Sequence, residues 1–317
     1  MTTIVTGAAG FIGSTLVDAL LERGAEVRGI DSFSDYYDAA SKRANLAGAL
    51  SNPGFELVEA DLRHTDLAPL LDDASVVFHQ AAQPGVRLSW ADGFDTYDSC
   101  NVLATQRLLE AAQRTGVGRL VYASSSSVYG NANIYPVTEQ TLPRPHSPYG
   151  VTKLAAEHLC GLYAANYGLS VVSLRYFTVY GPRQRPDMAI HRLIESALDG
   201  HPFPLYGDGS HVRDFTFVDD VVAANLAAAE ADAPPGLVVN VCAGGSTTMA
   251  DLIDVVGRSV GRPVPIDHQD EQPGDVLRTG GDGSLALGHL GWKPAHDLET
   301  GIGAQVGWHR SRRASVI

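Results

Sequence analysis

Thr3-Ile-Val-Thr-Gly7-Ala-Ala-Gly10-Phe-Ile-Gly13, close to the amino terminus, joins a short apolar run to a helical pattern through three spaced glycines. Thr3 to Val5 reads as a strand, and Phe11, Leu16, Val17, Leu20 and Leu21 keep helical spacing until Gly24 ends it. A glycine turn between strand and helix aims backbone N–H groups and the positive end of the helix dipole at one point, which suits a pyrophosphate. In this reading Gly7 permits the turn, Gly10 lets phosphates approach the backbone and Gly13 allows close helix–strand packing. Gly7, Gly10, Phe11, Ile12 and Gly13 are thus the expected cofactor cradle. A glycine triplet alone is also compatible with an ordinary tight turn. Context strengthens the reading, because Glu26 to Ile30 forms a second strand and Asp31 ends it, 24 positions after Gly7. A carboxylate there accepts ribose hydroxyls and disfavours a 2′-phosphate, so NAD is expected rather than NADP. Asp61-Leu62, after a third strand at Phe55 to Val58, stands where an adenine ring would lie.

Farther along, apolar runs at Val76 to His79, Leu120 to Ala123 and Val171 to Leu174 alternate with helical segments near 99 to 114 and 150 to 166. The alternation predicts an α/β, Rossmann-type, doubly wound parallel sheet. After Arg175 the pattern weakens, and Gly181-Pro182, Pro186, Pro202, Pro204 and Gly207 to Gly209 punctuate a loop-rich stretch. Residues 1–175 with about 212–243 are expected to form the NAD-binding domain, and 176–211 with 244–317 a smaller α/β lobe for the substrate.

Hydrophobic residues make up 44% of the 317 and charged residues 19%, which is ordinary globular usage. The formal charge of -13 weighs against nucleic acid and anionic membranes and leaves a small-molecule substrate. Cys100, Cys160 and Cys242 form no CxxC or Cys/His pattern, so they read as reduced thiols and no metal site is expected. Met1-Thr-Thr-Ile lacks a basic leader and no run approaches the ~20 apolar residues of a membrane span, which predicts a cytoplasmic location.

Tyr149-Gly-Val-Thr-Lys153 opens a helix in which Val151, Leu154, Ala155, Leu159 and Leu162 are the apolar positions. Tyr149 and Lys153 are four apart and share a face. A phenol titrating near ~10 is a poor base, but an adjacent ammonium and a cationic nicotinamide favour phenolate. In isolation such a pair would merely support a helix. Upstream, Tyr122-Ala-Ser-Ser-Ser-Ser-Val-Tyr-Gly130 sets a serine run at the carboxyl end of a strand, where open sheets bind ligands. Serine runs without such company are flexible loops.

Together these stretches resemble the extended short-chain dehydrogenase/reductase family, and within it the nucleotide-sugar epimerases, over nearly the whole chain. The carriers are Thr6-Gly-Ala-Ala-Gly-Phe-Ile-Gly13, His79-Gln-Ala-Ala82, the serine run, Tyr149-x-x-x-Lys153, Arg175-Tyr-Phe177, Arg213-Asp-Phe-Thr-Phe-Val-Asp-Asp220 and Pro273-Gly-Asp275. The resemblance implies Tyr149 as base, Lys153 as its tuning charge and ribose ligand, and Ser125 as partner of the reacting sugar hydroxyl. It sets Ala81, Gln83, Asn101, Ser124 and Tyr176 beside NAD, Arg213 and Arg278 on the UDP phosphates, and Asp275 and Tyr206 at the uridine. His79 has no titrating role in it and reads as a packed strand residue. A homodimer is also implied, with the helices near 99 to 114 and 150 to 166 forming a four-helix bundle through Val102, Ala104, Leu108, Ala156 and Leu159.

Sugar dehydratases of the family usually carry Asp-Glu where this chain has Ser126-Ser127, and the related decarboxylases have Glu at Ser127. Val179-Tyr-Gly-Pro-Arg-Gln-Arg-Pro-Asp-Met-Ala189 and Ala81-Ala-Gln-Pro-Gly-Val-Arg87 resemble the UDP-glucuronate 4-epimerases, although Pro84 departs from the alanine often seen there. This implies inversion at C4 of UDP-glucuronic acid through a 4-ketone. Arg185, Thr178, Ser126 and Ser127 would bind the sugar carboxylate, and Arg87 would join the substrate site. For Arg183 and Arg185 the alternative is a solvated basic loop or a phosphate contact. Competing readings are a UDP-glucose or UDP-N-acetylhexosamine 4-epimerase and a catalytically idle NAD-sensing regulator.

Overall fold

Successive strand residues point to opposite faces of a sheet, and the apolar runs of this chain use both faces. Val5, Phe78, Val121 and Val172 enter one buried cluster, while their neighbours Ile4, Val77, Leu120 and Val171 enter another. The strands must therefore be covered by helices on both sides, and they are. In the computed structural model, which describes residues 1–270 and 276–314, the strands β1 (Thr2–Thr6), β2 (Val27–Asp31), β3 (Phe55–Glu59), β4 (Ala74–His79), β5 (Arg119–Ser125) and β6 (Val171–Tyr176) form one parallel sheet with Leu237–Val241. The order is Leu237–Val241, β6, β5, β4, β1, β2, β3. It reverses between β1 and β4, so their carboxyl ends flank the crevice in which open sheets bind ligands. The predicted doubly wound sheet is thus present, with a seventh strand that the sequence reading did not single out. Leu-Val-Val-Asn-Val is short, and its Asn240 hides a buried strand behind a polar residue.

The smaller elements beyond residue 177 pair locally: Thr178–Tyr180 with Phe215–Phe217, Phe203–Tyr206 with Ile266–Gln269, and Val212–Arg213 with Thr247–Thr248. Their helices contribute Ile194, Val256 and Ile302 to the same apolar cluster that holds Val5 and Val121. One core therefore runs from the sheet into the carboxyl-terminal elements.

Helix Pro148–Tyr167 is framed by its own sequence. The Ser147 hydroxyl accepts from Gly150 N at 3.1 Å, Pro148 occupies the first turn, and Gly168 closes the helix with φ 69°. Midway along, Glu157 meets Arg175 of β6 in a buried pair, Nη2 to Oε1 2.6 Å and Nε to Oε2 3.0 Å, while Ser124 Oγ donates to Glu157 Oε2 at 2.6 Å. Arg175 Nη1 also donates to Tyr129 Oη (2.7 Å), whose hydroxyl donates to Asn240 Oδ1 (2.7 Å). A buried pair with its remaining donors satisfied fixes relative positions even where it adds little net stability. Here it locks the helix to β5, β6 and Leu237–Val241.

His79 is fully buried, as a packed strand residue should be. The Ala81 N–H donates to Thr6 Oγ1 (3.2 Å), which leaves the Thr6 hydroxyl to donate to His79 Nδ1 (2.8 Å). On the other side His79 Nε2–H donates to Thr105 Oγ1 (2.9 Å), whose own proton goes to the Asn101 carbonyl (2.6 Å). This relay has one proton per link and assigns a neutral ring. Burial, aided by the Lys153 charge, pushes its pKa down to about 3. An unfolded histidine titrates near ~6.5, so the unfolded chain binds a proton that the native chain does not, and stability falls as pH falls from there toward about 3. Urea unfolding at pH 7 and pH 5 should differ by roughly 2 kcal/mol from this residue. A His79→Gln variant with the same pH dependence would contradict that assignment.

Candidate active site

The cradle is built as its glycines require. Gly7 adopts φ +67°, and a Cβ there would stand 2.8 Å from Ala81 N. At Gly13 a Cβ would fall 2.0 Å from the Gly7 carbonyl oxygen, so Gly13 is demanded by the turn itself, a closer constraint than the helix–strand packing expected. Gly7 N donates to Ile30 O at 2.7 Å, and Asp31 accepts from Ala9 N (2.9 Å) and Phe33 N (2.8 Å). The Asp31 carboxylate thereby ties the turn to β2 while each oxygen keeps a lone pair for a ribose.

A large cleft opens over this turn. Of the residues expected beside the cofactor, it is lined by Gly7, Gly10, Phe11, Ile12 and Gly13, by Asp31, Asp61 and Leu62, and by Ala81, Gln83, Ser124, Tyr149, Lys153 and Tyr176. Asn101 stands apart. It is 1% exposed, behind the wall, where its amide exchanges hydrogen bonds with the Gln83 main chain (2.7 and 3.1 Å) and donates to Thr152 Oγ1 (3.0 Å). It sits in a π-helical stretch, Asp98–Leu103, between helices Phe94–Tyr97 and Ala104–Thr115, where the sequence pattern suggested one regular helix. A π turn shifts every later side chain around the axis, which a 3.6-residue template cannot register. Tyr36, Tyr37, Lys42 and Arg63 also line the cleft and were not singled out from the sequence. Arg63 binds Asp61 Oδ2 at 2.6 Å and holds that carboxyl below its usual range.

At the inner end, Ser127 N donates to Ser125 Oγ at 3.1 Å, which leaves the Ser125 proton to face the Tyr149 phenol, its hydrogen-bond partner. Gly150 permits this approach, since a Cβ there would lie 2.6 Å from the Ser127 carbonyl oxygen. Lys153 is 3% exposed, its Nζ 4.6 Å from the centre of the Tyr122 ring, and burial pushes its pKa down to about 8. For Tyr149 burial outweighs every lowering influence and raises the pKa. The groups that oppose it are Ser125 and the Arg185 charge.

Arg185 lines the same cleft as Tyr149. Its Nε and Nη2 each meet Asp187 at 2.9 Å, so one edge of the guanidinium is already paired and the Nη1 edge remains for a ligand. Asp187, which the sequence reading passed over, also accepts from Tyr36 Oη at 3.2 Å. Ser126, Ser127 and Thr178 follow at the ends of β5 and β6, half-buried. The remaining expected ligands form two groups outside the cleft lining: Arg87 lies over the Tyr206 ring at 4.4 Å, and Arg213 neighbours Arg278 because Val212 bridges that residue. Asp275 lies outside the described residues. Within the Arg213–Asp220 stretch, Asp214 accepts from Ala243 N and Gly244 N, and Asp220 from Ala295 N and His296 N, so these two acids secure loops.

A strand–glycine turn–helix opening, Tyr149 and Lys153 on one helix and a serine run opposite them is a combination with known counterparts. The NAD dependent epimerase/dehydratase family model matches residues 3–242. The chain belongs to that family. A Bacillus subtilis (strain 168) protein named as an uncharacterized UDP-glucose epimerase, YtcB, is 40% identical, with 97% of this chain and 98% of that protein covered. The UDP-glucose 4-epimerase of Mycolicibacterium smegmatis (strain ATCC 700084 / mc(2)155) is 39% identical over 98% and 99%. Among solved structures, UDP-glucuronic acid 4-epimerase from Bacillus cereus in complex with UDP-glucuronic acid and NAD superposes with a TM-score of 0.95 at 41% identity, covering 98% of this chain and 100% of that one. As a family member the protein is an NAD-dependent epimerase, and its cradle passes the test of fit for NAD. Side chains are excluded at Gly7 and Gly13, the first turn of helix Phe11–Glu22 lines the cleft, and an acid stands at the end of β2. Asp31→Asn should weaken NAD about tenfold, one charge-assisted hydrogen bond's worth. Cofactor titration checks this, and unchanged affinity would remove Asp31 from the ribose.

Proposed function

We propose that the protein inverts C4 of a UDP-linked hexuronic acid, interconverting UDP-glucuronic and UDP-galacturonic acid through a transient 4-ketone. The observation that carries this is the presence of Arg185 and Tyr149 in one cleft with the glycine cradle. Tyr149 takes the proton of the C4 hydroxyl, and Ser125, held by Ser127 N–H, donates to the same oxygen. Lys153 holds a ribose and contributes positive charge. When bound, NAD supplies the reversible oxidation of the carbinol and a positive ring charge that favours ionised Tyr149. The ketone then presents its other face, and Tyr149 returns the proton.

A uronic 4-ketone is a β-keto acid, which loses carbon dioxide when its C5–C6 bond aligns with the carbonyl π system. Arg185, with Thr178, Ser126 and Ser127, fixes the carboxylate away from that alignment by directional hydrogen bonds. Arg213 and Arg278 bind the phosphates, while Arg87, Tyr206 and Asp275 serve the nucleotide end. Residues 1–175 with about 212–243 carry the cofactor, and the remainder carries the sugar nucleotide.

A second reading, a neutral-hexose 4-epimerase, draws on the names of the two relatives at 40% and 39% identity and on Asp187 already pairing with Arg185. The ratio of kcat/KM for UDP-glucuronic acid over UDP-glucose separates the two. It should exceed about tenfold, the worth of one charge-assisted contact; a ratio of one or below favours the second reading.

The homodimer is retained on revised residues. Ala104, Leu108 and Ala156 are buried in this chain's own core, so they are unavailable to a partner. Leu103, Val151, Leu162 and Tyr167, on the same helical segments, are about half or more exposed and take their place. Light scattering should give twice the chain mass, and Leu162→Glu should shift it toward monomer. A wild-type monomer at micromolar concentration would refute the dimer. A cytoplasmic setting accords with Cys100, Cys160 and Cys242, which are all free thiols. No described helix is long and apolar enough to cross a membrane.

A further inference from the structure

A second cavity, of about 480 Å³, lies behind Tyr37 and Arg185, which also line the cofactor cleft. Its other walls include His191 and Glu195 of helix Ala189–Asp199 and His309 and Arg312 of helix Leu298–Ala314. Among the described residues, four buried side-chain polar atoms have no hydrogen-bond partner: Tyr37 Oη, Arg183 Nη1, His309 Nε2 and Thr216 Oγ1. The first three belong to residues lining this one cavity. Buried polar groups are nearly always paired, so three such groups around one space point to a polar ligand. His309 is 3% exposed, and its Nδ1 is fixed by Glu195, which leaves Nε2 to the cavity.

Charge selects the class of ligand. His191, Glu195 and His309 offer donor atoms within 4.8 Å of one another, a spacing a cation could use. Yet Arg183, Arg185, Arg312 and Arg313 line the same cavity, with Glu195 as its one described carboxylate. That carboxylate is already engaged by His309 and Arg313, which hold its pKa down at about 2. Arg183 and Arg185 have carboxylate partners in Asp18 and Asp187. Arg312 lies 4.9 Å over the Trp308 ring and makes no described carboxylate pair. An arriving cation meets repulsion here; an anion meets donors.

We propose that this cavity binds a phosphate-type oxyanion, gripped by Arg312, Arg183 Nη1 and Tyr37 Oη, with His309 Nε2 turned toward it from the same wall. The test is calorimetric titration of the NAD-loaded protein with inorganic phosphate and, separately, with glucose 1-phosphate, each in the absence and presence of saturating UDP. Saturable binding of one equivalent that persists with UDP is expected. Arg312→Gln, at an exposed position outside the catalytic cleft, should weaken it at least tenfold while leaving turnover unchanged, and His309→Gln should weaken it as well. The tighter of the two ligands identifies free phosphate or a phosphomonoester as the source. Absence of saturable binding by both would overturn the proposal. So would binding that UDP abolishes and Arg312→Gln leaves intact, or stoichiometric zinc binding in place of phosphate.

Discussion

Tyr149→Phe is expected to remove nearly all epimerisation, by roughly 10²–10⁴-fold, the usual loss when a positioned general base is deleted. The half-buried ring packs edge-on against Tyr97, with centroids 6.1 Å apart, and phenylalanine preserves that packing. NAD content and UDP-sugar binding should therefore stay close to wild type while kcat falls. The Ser125 hydroxyl, still held by Ser127 N–H, is left without its phenolic partner. Single-time-point product analysis over hours, with cofactor quantified after denaturation, checks both halves. A variant that keeps near wild-type turnover removes Tyr149 from the proton path.

The second large effect concerns Arg185→Gln. Loss of a charge-assisted contact to the sugar carboxylate costs about 1.5–3 kcal/mol, so kcat/KM for UDP-glucuronic acid should drop by about 10- to 150-fold. UDP-glucose, which has no carboxylate, should be turned over almost as before. The freed C5–C6 bond can then align at the ketone stage, and UDP-pentose or its 4-keto form should appear among the products. The deletion also strips Asp187 of its partner, which the double variant Arg185→Gln/Asp187→Asn controls for. Equal losses on the two substrates without decarboxylation would return Arg185 to a phosphate or structural role.

Much of this site could be read in the chain because its backbone demands are written as residue types. A glycine is needed where a Cβ would strike a carbonyl, and an acid is needed at the end of β2; both constraints are local. The parallel sheet was legible for the same reason, since alternating faces in β1, β4, β5 and β6 leave apolar runs of strand length. What escaped the reading depends on long-range packing. Asn101 is turned behind the wall by a π segment, and Asp187 reaches Arg185 through a loop whose path no periodicity encodes. Glu157 could have been found: Arg175 stands inside an apolar strand, and a buried guanidinium calls for an acid. Helical spacing sets Lys153 on the face of Tyr149 but does not reveal that burial pushes the lysine's pKa down to about 8.

C4 inversion of a uronic acid by a protein that carries its own oxidant is tested most directly by one incubation. The protein as purified, without added cofactor, is mixed with UDP-glucuronic acid and the sugar nucleotides are resolved by anion exchange and proton NMR. UDP-galacturonic acid should appear until a constant ratio is reached, with no UDP-pentose and no net accumulation of reduced cofactor. UDP-glucuronic acid recovered unchanged from a preparation that epimerises UDP-glucose would contradict it.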